Sequence, residues 1–450
     1  HQGGLARSVG PGEHRKRPGC NAVRNGAQAR RLASGSFGDG IGSHRIGHGE
    51  ASIYGTPRRL AVAIDGVAER QESVTEEVSG PPERVAFDEA GNPTVAARKF
   101  AEKVGVPIKR LGLKETGKGR YLYAVIKDRG QPAPAVIRQI LPDLILSIPF
   151  PKAMRWGNLR IAFARPIHTV VALLGNRSIS FRIGDVQSGR HTFGHRFMSP
   201  GKIRLDSAEA YPGVLEGANV LADIDHRRSM MTQKVTAAVA AVNGRILEDP
   251  DLVETNNQLV EYPEVVLGRF DDKFLELPDQ VLVTAMREHQ RYFAVVNDSN
   301  RIMPYFVSVN NTRARDMAVV ASGHERVLRA RLEDARFFYH TDLKTPLDEK
   351  VERLRAVTFQ AELGSVYDKT QRVRHITAWL CRQLAVDAQM QAHADRAASL
   401  CKADLVSQVV IEFPKLQGIM GRVYAAAAGE PEAVSTAIEE HYRPVHAGGE

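Results

Sequence analysis

The sequence predicts an α+β multidomain region up to about residue 345, followed by an all-α domain. Before that point strand-like and helix-like apolar patterns follow one another irregularly, without the regular βαβ spacing of a parallel sheet. Beyond about residue 346 we find only helical patterns. The length of 450 residues also exceeds what one hydrophobic core usually contains, so two or three domains are expected.

Residues 1–50 differ in composition from the rest of the chain. They are dense in Gly, Arg, Ser and His, and they carry eight basic and three acidic residues with almost no periodic apolar pattern. Such a segment cannot bury enough apolar surface to offset the entropy of ordering its backbone. We therefore predict a disordered or aberrant N-terminal segment without a packed core.

Regular patterns begin near Tyr54, where Leu60, Val62 and Ile64 alternate in the manner of a strand. Turn residues and apolar periodicity define the later elements of this α+β region, residues 51–345, within which a subdomain boundary is expected near 200. The later predicted elements are strands at 120–128, at 178–186 and on both sides of a turn at 297–300, and helices at about 95–104 (ending at Gly105), 133–147 and 225–242.

The stretch SGHERVLRARLEDARFFY, residues 322–339, predicts one amphipathic helix. Leu328 and Leu332 belong to an apolar stripe at helical spacing. Ser322 and Glu325 have the spacing of a capping box, which predicts the start of the helix.

The arginines of this helix have two interpretations. Arg326 and Arg329 are either paired with nearby acidic residues or form an anion-binding surface, and Glu325 has the i,i+4 spacing to pair with Arg329. Arg331 has no acidic residue of the same helix on its side. We favour a contact within the protein or with another subunit over a direct RNA contact.

Residues 346–450 predict helices only. The amphipathic stretches lie at 347–357, 369–384, 395–413 and 431–442. They predict a separate helical domain.

Charge and cysteine content restrict the class of protein. The net charge of +9 makes a polyanionic partner plausible. Cys20, Cys381 and Cys401 form no metal-binding spacing, and a reduced, cytoplasmic protein is expected. No apolar run is long enough for a membrane span, so no membrane partner is expected.

Three segments place cations beside aromatic residues, a combination suited to phosphate contact and base stacking. They are IPFPKAMRWG with the following FARPIH, SGRHTFGHRF, and MREHQRYF. The alternative is that their aromatic residues pack in the core while the arginines remain solvated. Together with the helix at 322–339, they supply the candidate contact residues Lys152, Arg155, Trp156, Arg165, His168, Arg190, His195, Arg196, Arg287, His289, Arg291, Arg326, Arg329 and Arg331.

Motifs for catalysis are absent from the sequence. No phosphate-binding loop, dinucleotide fingerprint, nucleophile elbow or HExxH motif occurs. His191 and His195 are too few for a metal site without further ligands. We expect no cofactor and no metal in this chain, and the residues alone indicate a binding module.

Eight segments in a fixed order resemble the β subunit of bacterial glycyl-tRNA synthetase. They are YGTPRRLAV, IPFPKAMRWG, FARPIH…VALLG, SGRHTFGHRF, MREHQRYF, HERVLRARLEDARFFY, FQAELGSVYDK and KADLVSQVVIEFPKLQGIMGRVYA. The resemblance extends from about residue 54 to the end.

The resemblance implies a tetramer of two α and two β subunits. In that family the α subunit holds the class II active site for ATP, Mg²⁺ and glycine, and the β subunit binds glycine tRNA. The resemblance therefore implies the α subunit and glycine tRNA as partners, with no DNA partner. It also implies a cytoplasmic location.

The region from about 346 resembles the HD-type domain of the same family. No His-Asp dipeptide occurs in the sequence, so we expect a structural or RNA-docking domain rather than a phosphohydrolase. Two further differences are the usual opening segment, which is missing, and Thr169 after His168, where Trp is common. The family's C-terminal anticodon-binding domain is expected to be absent.

A second hypothesis remains open beside the synthetase subunit. The chain is then a non-catalytic RNA-binding or interaction protein, or a truncated remnant of that subunit. Co-purification with an α subunit and tRNA-dependent glycylation separate the two hypotheses.

Overall fold

The computed structural model describes residues 37–117 and 119–444, and the structure is a mixture of helices and strands. These residues form two compact units, which we call the N-terminal unit (37–223) and the C-terminal unit (224–444). The domain boundaries predicted from the sequence, near 200 and at 345, stay predictions.

Strands and helices are mixed along the chain of the N-terminal unit. This unit contains one hydrophobic core around Ile137 and Phe181 and another around Phe100 and Leu122. Its elements are β1 (Ala51–Thr56), β2 (Arg59–Ile64), β3 (Val74–Pro82), α1 (Glu83–Ala86), α2 (Val95–Val104), β4 (Gly112–Thr116), β5 (Gly119–Asp128), α3 (Ala133–Leu146), β6 (Val170–Val171), β7 (Leu173–Leu174), β8 (Arg177–Ser178), β9 (Arg182–Ile183), β10 (Val186–Gly189), β11 (His191–Phe193), β12 (Lys202–Arg204) and α4 (Tyr211–Gly217).

Most of these strands pair as antiparallel neighbours. β3, β5 and β4 form a three-stranded sheet, and β1–β2, β7–β8 and β11–β12 form hairpins. β10 lies between β6, to which it is parallel, and β9. Short hairpins of this kind place loop residues at the surface of the unit, where binding residues are usually found.

The C-terminal unit combines a four-stranded sheet with helices. The sheet has the order β13–β15–β16–β14 and is antiparallel. Its elements are α5 (Ile224–Ala240), β13 (Arg245–Ile246), α6 (Pro250–Asn257), β14 (Glu264–Arg269), α7 (Asp279–Thr284), a π-helix (Ala285–Gln290), β15 (Phe293–Val296), β16 (Ile302–Asn310), α8 (Met317–Leu343), α9 (Leu347–Arg353), β17 (Thr358–Gln360), β18 (Gly364–Ser365), α10 (Val366–Gln383), α11 (Ala388–Leu400), α12 (Gln408–Glu412), α13 (Ile419–Ala427) and α14 (Glu432–Glu440).

One hydrophobic core connects the sheet-containing and helical parts of this unit. It includes Phe306 of β16, Leu332 of α8 and Tyr424 of α13. Buried Asp342, near the end of α8, accepts hydrogen bonds from the backbone of Val409 (3.0 Å) and the hydroxyl of Tyr424 (2.8 Å). The chain on both sides of residue 345 therefore shares buried contacts.

Several predicted elements are confirmed. α2 ends at Gly105, whose φ of 66° is the left-handed conformation that favours glycine. β15 and β16 pair on either side of the predicted turn, in which Asn300 has a φ of 62°. Local turn chemistry was sufficient to locate these boundaries.

Three predictions about elements are wrong. α8 begins at Met317, because Asp316 caps the helix and the helix continues through Ser322. The single strand predicted at 178–186 is broken, and Gly184 with a φ of 58° turns the chain between β9 and β10. The region beyond 346 is not free of strands, because β17 and β18 pair.

The prediction for residues 1–50 fails for the part that the structure describes. Ile41 and Ile46 are buried in the core around Ile137. Residues 37–50 therefore contribute to a packed core. Residues 1–36 lie outside the described residues.

Candidate nucleic-acid interface

The β11–β12 hairpin has one buried and one exposed face. His191 lies opposite Arg204, and Phe193 lies opposite Lys202, while Thr192 between them is buried. Side chains directly opposite each other in an antiparallel pair lie on the same face of the sheet. The exposed face of this hairpin therefore combines an aromatic ring with cationic side chains.

His195 organises the turn that joins the two strands. Its side chain is fully buried, and its Nδ1 accepts hydrogen bonds from the backbone of Phe197 (3.3 Å) and Met198 (3.2 Å). Its backbone amide donates to Ala218 (3.0 Å), and its carbonyl accepts from Ser199 (2.9 Å). Because the ring is buried against the turn, we revise His195 from a contact residue to a positioning residue.

Arg196 and Phe197 project from this turn. The Phe197 side chain is 70% exposed, and the Arg196 guanidinium lies 5.8 Å from the centre of its ring. Among the described residues, no carboxylate lies within ion-pair distance of Arg196. The turn thus presents an unneutralised cation beside an accessible aromatic face.

A cleft of about 1850 Å³ lies in the same unit. We call it the N-terminal cleft, and Arg165, His168 and Arg196 from the predicted set line it. Four more arginines line it, namely Arg58, Arg59, Arg70 and Arg177, against the acidic residues Asp65, Glu69 and Glu209. The excess of cations makes the cleft attractive to a polyanion.

The remaining candidates of this unit lie outside the cleft lining. Lys152 and Arg155 are exposed, and Trp156 is half-buried. Arg190 donates a hydrogen bond to the carbonyl of Asn176 (2.9 Å). The structure therefore brings only some of the candidate residues of this unit together in the cleft.

The candidates of the C-terminal unit are arranged differently, because carboxylates neutralise several of them. Arg287 of the π-helix forms ion pairs with Asp249 and with Glu288 (2.7 Å), and Lys415 also contacts Glu288 (2.7 Å). Arg291, which has a φ of 60°, donates to the carbonyls of Arg287 and Glu288. Arg287 and Lys415 thus connect distant segments of the unit, whereas the hydrogen bonds of Arg291 are local.

The pKa values in this network follow from its geometry. Burial alone would raise the pKa of Glu288, but Lys415 and Arg287 outweigh it and leave the pKa below the ordinary value of 4.5. Burial likewise opposes the effect of Arg287 on Asp249, whose pKa is also lowered. Both carboxylates are thus held in their charged forms by the cations.

The arginines of α8 also have carboxylate partners. Arg329 lies 3.7 Å from Asp271, and Arg331 lies 3.9 Å from Glu412. Glu412 is also 4.0 Å from His289. The expected pair between Glu325 and Arg329 is replaced, because Glu325 accepts a hydrogen bond from the backbone of Arg269 (2.9 Å).

Arg326 of α8 is the exception. It is exposed, and no carboxylate lies within ion-pair distance of it among the described residues. Arg331 has no acidic partner on α8, and Glu412 of α12 supplies one. This ion pair agrees with the preferred interpretation of a contact within the protein.

Sequence reasoning missed several residues of the exposed surface. Phe193, Phe197, Lys202 and Arg204 flank the predicted histidines and arginines, but only the hairpin register shows that Phe193 and Lys202 share a face. The signal for Phe197 was present, because it directly follows Arg196 in a segment rich in turn residues. Cations beside exposed aromatic rings are characteristic of nucleic-acid-binding surfaces.

The described part of the chain contains no cluster of three or more His, Cys, Asp or Glu side chains arranged to hold a metal ion. Within residues 37–117 and 119–444, no helix is both long enough and apolar enough to cross a bilayer.

Comparison with known proteins identifies the family. The family model described as glycyl-tRNA synthetase beta subunit matches residues 26–450. The chain therefore belongs to the glycyl-tRNA synthetase β-subunit family. The match begins at residue 26, earlier than the resemblance recognised from about residue 54, so part of the unusual N-terminal segment also belongs to the family.

Similar proteins carry the same description. The glycine–tRNA ligase β subunit of Desulforapulum autotrophicum is 51% identical over 406 residues, which cover 90% of this chain and 59% of that protein. Those of Desulfatibacillum aliphaticivorans and Myxococcus xanthus are 49% and 47% identical, over 90% and 89% of this chain and 59% and 57% of their own lengths. The chain thus spans less than two thirds of the length of these relatives.

Proposed function

We propose that this chain acts in the β subunit of a glycine–tRNA ligase, where it binds glycine tRNA and supports charging by an α subunit. Identity of 51% to a relative with that name carries the proposal. The cationic lining of the N-terminal cleft supports its RNA-binding part.

The tRNA contacts belong mainly to the N-terminal unit in this proposal. Arg165 and Arg177 are exposed, line the cleft and lack an ion-pairing carboxylate among the described residues. Lys152 and Arg155 extend the cationic surface outside the cleft. Such cations gain affinity by releasing counterions from phosphates, whereas a cation already paired with a carboxylate gains less.

The reaction chemistry is assigned to the α subunit. The sequence contains no phosphate-binding loop or nucleophile elbow, so ATP and Mg²⁺ are expected to bind in the partner. The place of action is then the cytoplasm, where aminoacylation supplies protein synthesis.

The helical part beyond residue 346 serves as an HD-like domain with a structural or RNA-docking role. Asp404 is fully buried, and its Oδ2 accepts hydrogen bonds from the backbone of Gly418 (2.6 Å) and Gly421 (3.0 Å). This carboxylate fixes the start of α13. That use supports a structural assignment of the domain.

The test is reconstitution with the α subunit of the same organism. We expect the two chains to co-purify and to glycylate tRNA together, and we expect this chain alone to show no glycine-dependent pyrophosphate exchange. Exchange by this chain alone would contradict the assignment of chemistry to the α subunit. Failure both to co-purify and to bind tRNA would contradict the proposed function.

A further inference from the structure

Phe197 is an unusually exposed aromatic residue on an ordered turn. Its side chain is 70% exposed. Among the described residues, Phe197 and Phe337 (65%) have the most exposed aromatic side chains. An exposed phenyl ring gains little from the hydrophobic core, and its face is accessible to a ligand.

The turn that carries Phe197 is held from several directions. The amides of Phe197 and Met198 donate to buried His195, and the amide of Gly194 donates to Gly201 (3.2 Å) across the turn. Asn219 donates to the hydroxyl of Ser199 (2.8 Å).

Gly194 adds a steric constraint at the start of the turn. A Cβ at this position would lie 2.3 Å from the carbonyl oxygen of Ser199 and 3.0 Å from the Cβ of Ala218. The close approach of these backbone segments keeps the turn compact. A side chain on a fixed turn loses little conformational entropy when it binds.

The surroundings of Phe197 select a nucleic-acid partner over an apolar protein surface. Arg196 lies against its ring, and Lys202 and Arg204 lie on the exposed face of the same hairpin. Of these cations, Arg204 is 3.2 Å from Asp206, while Arg196 and Lys202 have no ion pair within the described part of the chain. An aromatic face on a cationic surface can stack on a base while nearby cations contact the flanking phosphates.

We propose that Phe197 stacks on an unpaired base of the bound RNA, with Arg196 at an adjacent phosphate and His195 as the positioning residue beneath them. This rests on the proposed function and adds a requirement, namely that the hairpin contacts a single-stranded segment of the tRNA. Bases in a continuous duplex are stacked on their neighbours and cannot offer a free face.

Phe337 supplies the matched control. It has nearly the same exposure and also follows an arginine, but Arg336 is neutralised by Glu276. Removing either ring leaves the hydrophobic cores unchanged. A difference between the two sites therefore reports on the surroundings of the ring.

The experiment measures binding of Phe197→Leu, Phe197→Trp and Phe337→Leu to glycine tRNA, to a short single-stranded RNA and to a blunt duplex of the same sequence. Loss of one stacked base predicts about 5- to 150-fold weaker binding of Phe197→Leu to the tRNA and the single strand. Binding to the duplex and the melting temperature stay unchanged. Phe197→Trp retains at least the original affinity, and Phe337→Leu binds like the unaltered chain.

The possible failures are distinguishable. If the unaltered chain binds neither tRNA nor single-stranded RNA, this inference and the RNA-binding part of the proposed function are both overturned. If it binds tRNA and Phe197→Leu binds equally well, only the inference is overturned. An equal loss in Phe337→Leu, or an equal loss on the duplex, also overturns it, because the effect is then not stacking by Phe197.

Discussion

The candidate cations of the N-terminal unit have no ion-pairing carboxylate among the described residues, whereas most of those in the C-terminal unit have one, although the two sets look alike in the sequence. Arg165 and Arg196 face an open cleft without an ion-pairing carboxylate among the described residues. Arg287 and Arg331, in contrast, contact carboxylates from distant segments of their own unit. Arginines in similar sequence surroundings therefore lie either at an open cleft or against a carboxylate of a distant segment, and we propose phosphate contact only for the first group.

The difference depends on where the acidic residues lie in space. Asp249 and Glu412 are 38 and 81 positions away from the arginines they contact, Arg287 and Arg331. No local spacing rule could identify these pairs. The available cations can be recognised only after the fold has shown which of them remain without a carboxylate.

The largest expected effect concerns the ion network of the C-terminal unit. Arg287→Ala leaves Asp249 without its cation and Glu288 with only Lys415, and both carboxylates are largely buried. We expect the free energy of unfolding to fall by about 3 kcal/mol. Denaturant titration measures it, and Arg165→Ala serves as the control with an exposed arginine, for which no comparable loss is expected.

The next effect concerns how stability depends on pH through Asp404. Burial raises the pKa of Asp404 from 3.8 to about 6, an effect only partly offset by the amides of Gly418 and Gly421. The unfolded chain then loses this proton at lower pH than the folded chain, so this group reduces stability as pH rises from 3.8 to about 6. Asp404→Asn keeps an acceptor for the amides and should gain stability relative to the unaltered chain over that window.

Glu288 affects the pH dependence of stability in the opposite direction. Its lowered pKa contributes stability that is present above the ordinary value of 4.5 and is lost as pH falls through the lower folded value. Comparing Asp404→Asn with the unaltered chain at each pH cancels this contribution, because both proteins share Glu288. A stability difference that stays flat across the window would contradict the buried, protonated form of Asp404.

A smaller loss is expected for the turn of the N-terminal unit. His195→Ala removes the acceptor of the amides of Phe197 and Met198. We expect about 1–3 kcal/mol less stability, since the two part-buried amides lose this acceptor. Hydrogen exchange at these two amides should become faster, and unchanged exchange would show that the ring does not hold the turn.

The smallest effect is expected for Arg331→Ala. Arg331 and Glu412 are 44% and 41% exposed and 3.9 Å apart, so the pair is solvent-screened. We expect a change in stability of about 0.5 kcal/mol or less. A thermal melt measures it, and a loss comparable to that of Arg287→Ala would remove the distinction between buried and exposed pairs.

Local turn and helix-end residues in the sequence were enough to predict some of these boundaries. The αL residue Gly105 and the turn at 297–300 mark boundaries that the structure confirms, because glycine and asparagine act on the backbone directly. The start of α8 could not be found in this way, since Ser322 and Glu325 match a capping box in the middle of a helix that Asp316 begins.

The candidate site was predictable only by residue type. SGRHTFGHRF pointed to the hairpin, but the burial of His195 and the exposure of Phe197 depend on how the turn packs against Ala218 and Asn219. The neutralisation of the α8 arginines depends on Asp271 and Glu412, which no spacing relates to them.

The contrast between the two units is tested most directly by the salt dependence of tRNA affinity. Two double variants are compared with the unaltered chain, Arg165→Ala with Arg196→Ala and Arg329→Ala with Arg331→Ala, after melting curves confirm that both are folded. Each lost phosphate contact lowers the slope of log affinity against log salt by about 0.7–0.9. We predict a reduced slope for the N-terminal pair and an unchanged slope for the α8 pair. A reduced slope for the α8 pair with an unchanged slope for the N-terminal pair would contradict the account.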